Sequence, residues 1–158
     1  MRREFLNDEE AVSVAVGFIL TFTITVIAFM MVMSSFYGLM DSTEHNVMLE
    51  ECEIHGNDIA LQIINIDAAV NVNSVAGGSI SELNHEIDLP DRIAGQYYSI
   101  EFSNTTNEIT FRSQKSDRVL TRIEYVTKTT DVKPTIIHSA AGEHYMEYNP
   151  ATNLIEIY

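Results

Sequence analysis

Ala11-Val12-Ser13-Val14-Ala15-Val16-Gly17-Phe18-Ile19-Leu20-Thr21-Phe22-Thr23-Ile24-Thr25-Val26-Ile27-Ala28-Phe29-Met30-Met31-Val32-Met33-Ser34-Ser35-Phe36-Tyr37-Gly38-Leu39-Met40 contains no Asp, Glu, Lys or Arg. Roughly 18 consecutive apolar residues suffice to cross the hydrocarbon of a bilayer, and this run is far longer. It therefore reads as a membrane-spanning helix. A secretory signal would have about 7 to 15 apolar residues followed by a small-residue cleavage site, so any cut is expected before the run.

At roughly 1.5 Å per residue the run exceeds a hydrocarbon core of about 30 Å, so the helix is expected to tilt or to continue into water. Continuation is favoured, because Met48, Cys52, Ile59, Ile63, Ile66 and Val70 recur at helical spacing, with Glu51, Asn57, Asp58, Asn65 and Asp67 largely between them. One helix is predicted from about Ala11 to about Val70, with Gly38 and Gly56 as weak points. The alternation of Ile64, Ile66 and Ala68 leaves a strand open for the last turns.

Asn71 to Gly78 is a loop by composition. Beyond it the period changes to two. Tyr98, Ile100 and Phe102 alternate with Ser99 and Glu101, and Ile109 and Phe111 with Thr110 and Arg112, joined by a turn at Ser103 to Glu108. Further strands are expected at Ile80 to Leu89, Val119 to Thr127, Thr135 to His138, Tyr145 to Tyr148 and Leu154 to Tyr158. Pro150 presets the turn between the last two. The fold class is α+β: a long N-terminal helix, its first half membrane-spanning, packed on a small antiparallel β-sandwich or curled sheet. The expected division is a short leader over 1–11, a membrane or filament-core helix over 12–40, its extracellular continuation over 41–70 and an extracellular β domain over 71–158.

The 158 residues carry nine Lys or Arg and twenty-three Asp or Glu. Removing Arg2 and Arg3 from the first count and Glu4, Asp8, Glu9 and Glu10 from the second leaves seven against nineteen from Asp41 to Tyr158. Such an acidic domain is a poor partner for nucleic acid. Arg2 and Arg3 precede the apolar run, whereas Asp41 to Asp67 has no cation, so the positive-inside rule places the N-terminus in the cytoplasm. Cys52 is the only cysteine and falls in the apolar helical phase, which makes it a small buried hydrophobe.

Val12, Ser13, Gly17, Ile19, Leu20, Ile24, Thr25, Val26 and Ile27 resemble the N-terminal helix of archaeal type IV pilins. Leu89-Pro90, Ile93-Ala94-Gly95 and Tyr98-Ser99-Ile100 look like the strand domains of uncharacterised archaeal pilin-like proteins. The resemblance implies processing by a prepilin peptidase between Ala11 and Val12, then self-assembly, or assembly with other pilin-like subunits, into a surface filament with helices at its core. Glu10 and Ala11 stand where the family has a basic residue and Gly, so an uncleaved anchor stays open. The alternative function is a permanently anchored envelope-binding module similar to archaellum stator proteins.

Ser13, Gly17, Thr21 and Thr25 lie four apart. They form a small-residue stripe for helix packing, or are residues that bond back to their own helix; both readings stand. Asn104-Thr105-Thr106 is an N-glycosylation pattern in an expected turn, with Asn104 the acceptor. No catalytic, cofactor-binding or metal residues are assigned. His85-Glu86 lacks the second His of a zinc-protease motif, Gly77-Gly78 lacks the Lys of a phosphate loop, and Ser139 beside His138 and His144 is read as solvated surface. Glu50, Glu51, Glu53 and Asp58 point in different directions from a helix and are read as a polar face.

Overall fold

The computed structural model describes residues 2–158 except 79, 81, 82, 116 and 117, with side chains from residue 12 onward. Helix α1 spans Arg2–Val75. Strands β1 (Asn84–Ile87), β2 (Tyr98–Ser103), β3 (Glu108–Ser113), β4 (Val119–Glu124), β5 (Asp131–Val132), β6 (Thr135–His138), β7 (His144–Asn149) and β8 (Leu154–Ile157) follow. The fold is α+β, with the helix packed on sheets. Two compact units divide at Thr43 and Glu44, three residues beyond the end of the uncharged run.

The first unit, Met1–Thr43, is helical from Arg2. Residues 2–11, expected as a leader, thus share the helix that follows. From Val12 its large apolar side chains stand uncovered, Phe18, Ile19, Leu20, Phe29, Met30 and Met31 among them.

The second unit, Glu44–Tyr158, holds the rest of α1 and all eight strands. The strands form two four-stranded sheets, ordered β1-β7-β8-β5 and β4-β3-β2-β6. Alternation sets the inward face of the second sheet: Tyr98, Ile100 and Phe102 of β2 are buried, pairing across β3 at Ser113, Phe111 and Ile109. In the first sheet Met146 and Tyr148 of β7 face Ile157 and Ile155 of β8. All strand pairings are antiparallel, in keeping with the expected antiparallel sheet, except the short pairing of β5 with β8, which is parallel. Strand β5 itself, only two residues long, is too short to show a period and was not expected.

The helix contributes Met48, Cys52, Ile59, Ile63, Ile66 and Val70 to one core cluster with residues of both sheets, as its period predicts. Ala60 joins them. Gly56 sits on the same face because a Cβ there would lie 3.0 Å from Phe111 Cε2 and from Ile123 Cγ1. The glycine lets α1 approach β3 and β4 closely, so it is a packing device and not a break.

One expectation is corrected at the helix end. Ile64 to Ala68 is helical, so the strand left open there is not formed, while 71–75, expected as loop, completes the helix. The stop is made by Gly77 with φ +75°, as Gly77 N donates to Ser74 O (3.1 Å) and Gly78 N to Asn73 O (2.9 Å). This is a Schellman cap, in which the left-handed glycine satisfies the last carbonyls. Of the strand expected over 80–89, β1 realises Asn84–Ile87, while Ser81 and Glu82 lie outside the described residues.

Candidate functional site

In the first unit Ser13, Gly17, Thr21 and Thr25 are all exposed. Thr21 Oγ1 donates to Gly17 O at 2.9 Å and Thr25 Oγ1 to Thr21 O at 2.8 Å, while Thr23 does the same to Ile19 O at 2.8 Å. Back-bonding therefore occurs, and it leaves no unpaired hydroxyl hydrogen at Thr21 and Thr25. A Cβ added at Gly17 meets nothing within 4 Å. Val12 is exposed; the side chain of Ala11 lies outside the described residues.

The second unit fastens α1 to the sheets through a residue that spacing had assigned to the polar face. Asp67 is buried, and its carboxylate accepts from Lys128 N (2.9 Å), Thr129 N (2.8 Å), Thr130 N (2.7 Å) and Thr130 Oγ1 (3.0 Å). Burial alone would raise its pKa, but the three backbone N–H groups and the hydroxyl together hold it below the ordinary aspartate value. The clamp ties the helix to the loop between β4 and β5. A single acid adjoining Ile66 in the apolar phase was the available sequence signal.

Cys52 is fully buried, and burial, with Glu51 nearby, pushes its thiol up to about 12, so it is an inert core residue. Burial likewise raises Tyr98, with Cys52, Asp91 and Glu51 adding to the shift; its hydroxyl donates to Pro90 O at 2.7 Å.

Ser139 and His144 are buried, contrary to their expected exposure, while His138 is exposed. Ser139 Oγ accepts from Tyr98 N (3.1 Å), and the ring nitrogens of His144 lie 3.1 Å from Tyr158 O and 3.2 Å from His138 O. Both side chains are committed to backbone and not to each other, so they tie β2, β7 and the chain end together. Among the described residues no three His, Cys, Asp or Glu side chains gather as a metal site. Glu50, Glu51, Glu53 and Asp58 are exposed along α1, and His85 is exposed on β1. Asn104 is exposed in the β2–β3 turn, where glycan attachment would meet no buried group.

The profile of a family of unknown function (DUF7266) matches residues 7–149. The chain belongs to that family. The match of this DUF7266 chain extends from the first unit through β7. No curated protein and no solved structure matches it.

Proposed function

We propose that this DUF7266 chain is a structural subunit or minor component of an archaeal type IV pilin-like surface filament. Before assembly α1 anchors it in the cell membrane by a single pass, with its N-terminus cytoplasmic and the sheet domain outside. The observation that carries the proposal is the uncharged stretch of α1 from Val12 to Met40, long and apolar enough to cross a membrane, none of which is buried within the protein. Such a surface needs lipid or the helices of neighbouring subunits.

Orientation is supported by Arg2 and Arg3 before the run and the absence of Lys and Arg from Asp41 through Asp91 after it. The pilin-like pattern from Val12 to Ile27 adds the partners: a prepilin peptidase acting between Ala11 and Val12, and further pilin-like subunits. The function is assembly, with no enzymatic step and no cofactor.

N-terminal sequencing of protein sheared from cells is the test. A chain beginning at Val12 in the filament fraction is expected. An intact leader in a chain retained wholly in the membrane would replace the proposal by an anchored envelope-binding module similar to archaellum stator proteins.

A further inference from the structure

Within the second unit α1 carries a second apolar face that the sheets do not cover. Val47, Ile54 and Leu61 are 39%, 61% and 58% exposed, Ala68 is exposed, and Val72 is 67% exposed. The first four are seven residues apart. At roughly 100° per residue they centre about 180° from the face of Cys52, Ile59 and Ile63 that meets the core. Scattered exposed apolar side chains are ordinary, but an aligned row about 38 Å long from Val47 to Val72 marks a contact surface.

The length and straightness of the row suit an elongated occupant. A row at seven-residue intervals drifts by only about 20° per repeat around a straight helix, so a second helix can lie along it, with Glu50, Asn57 and Ile64 exposed at the positions between.

Charge selects its chemistry. Glu50 falls inside the row, and Glu51 and Asp58 border it on one side and Glu53 on the other, all exposed. No Lys or Arg occurs from Asp41 through Asp91, so two copies joined along this face would set acid against acid in either orientation.

We infer that this face of α1 binds a basic amphipathic helix of a different chain, with apolar residues at seven-residue intervals flanked by Lys or Arg. Its apolar side chains pack between Val47, Ile54, Leu61 and Ala68, and its cations meet Glu50, Glu51 and Asp58. The contact is independent of processing and export, and stands or falls apart from the filament.

The full-length chain in zwitterionic nanodiscs tests it. Two labelled helical peptides of about 28 residues share one apolar repeat, one flanked by Lys and the other by Glu. Anisotropy, corrected for empty nanodiscs, is expected to show salt-sensitive binding of the Lys peptide alone. Leu61→Asp should weaken that binding at least tenfold although it adds an attractive charge, and the double change Glu50→Lys and Glu51→Lys should transfer binding to the Glu peptide. Circular dichroism checks that both variants keep wild-type unfolding; these positions are solvent-facing, so the fold is retained. Equal affinity for both peptides, no binding of the Lys peptide, or indifference to Leu61→Asp would overturn the inference. So would sedimentation showing two copies of the chain held together through Leu61.

Discussion

Asp67 shows how one side chain can hold an element in place. Three N–H groups and one hydroxyl converge on a buried carboxylate, so its removal strands the buried N–H and hydroxyl of Thr130. Asp67→Ala is expected to lower the stability of the second unit by about 3 kcal/mol, read from the unfolding midpoint of the full chain in micelles by the near-ultraviolet signal of its buried tyrosines. The pH dependence has a definite sign. Because the folded carboxyl sits below its ordinary 3.8, the unfolded state takes up the proton first. The stabilisation is complete above about pH 4 and is lost as pH falls through the folded value, so Asp67→Ala should flatten that part of the acid limb. Cys52 was legible because helical spacing alone puts it in the core. The role of Asp67 was not, since its donors come from Lys128 to Thr130, about sixty residues away, and no local period reports so distant a pairing.

Helix α1 was legible through its middle and misjudged at its C-terminal end for a physical reason. Asn71, Asn73 and Ser74 have low helix propensity, but tertiary cover of Ile66 and Val70 outweighs a few tenths of a kcal/mol per residue. The stop signal lay at Gly77, where a left-handed cap is required. The long strands declared themselves by alternation, whereas β5 depends on its parallel pairing with β8 and has no signature of its own. Gly56 supplies the test at this scale. In an exposed helix its replacement would gain about 1 kcal/mol of propensity, but here Phe111 and Ile123 occupy the space. Gly56→Leu should cost about 2 to 3 kcal/mol through overpacking. Exposed Asp58, which accepts from Gln62 at 3.1 Å, should change stability by less than about 0.5 kcal/mol when made Asn. Parallel denaturation curves of the two variants check the contrast; equal shifts would mean that Gly56 does not mark the close approach.

At the scale of the whole molecule, one chain joins an uncharged helical stretch with no buried side chain from Val12 to Met40 to an acidic folded unit, and the change in charge at Asp41 lies within a few residues of the division at Thr43. Hydropathy makes this the most legible feature, since a charge in hydrocarbon costs kilocalories while a single propensity costs tenths. Under the function proposed above, what the helix of the first unit meets after the membrane is a matter of packing. Lipid chains are as apolar as Leu or Ile, so exchange of lipid for neighbouring helices gains from close approach of backbones and not from a new hydrophobic drive. Gly17 offers that approach, and the hydroxyls of Thr21 and Thr25 are already bonded to their own helix, so the face can meet another helix without stranding a donor. Gly17→Leu adds bulk where no atom of the protein lies, leaving the fold untouched. It also makes the segment more apolar, so membrane insertion should stay at wild-type level. In the proposed filament, assembly should nonetheless fall at least tenfold, because the added side chain holds adjacent helices apart. Quantitative blotting of membrane and sheared-filament fractions separates the two effects: wild-type signal in the membrane with a depleted filament fraction is expected, and equal filament yield would remove Gly17 from the packing surface.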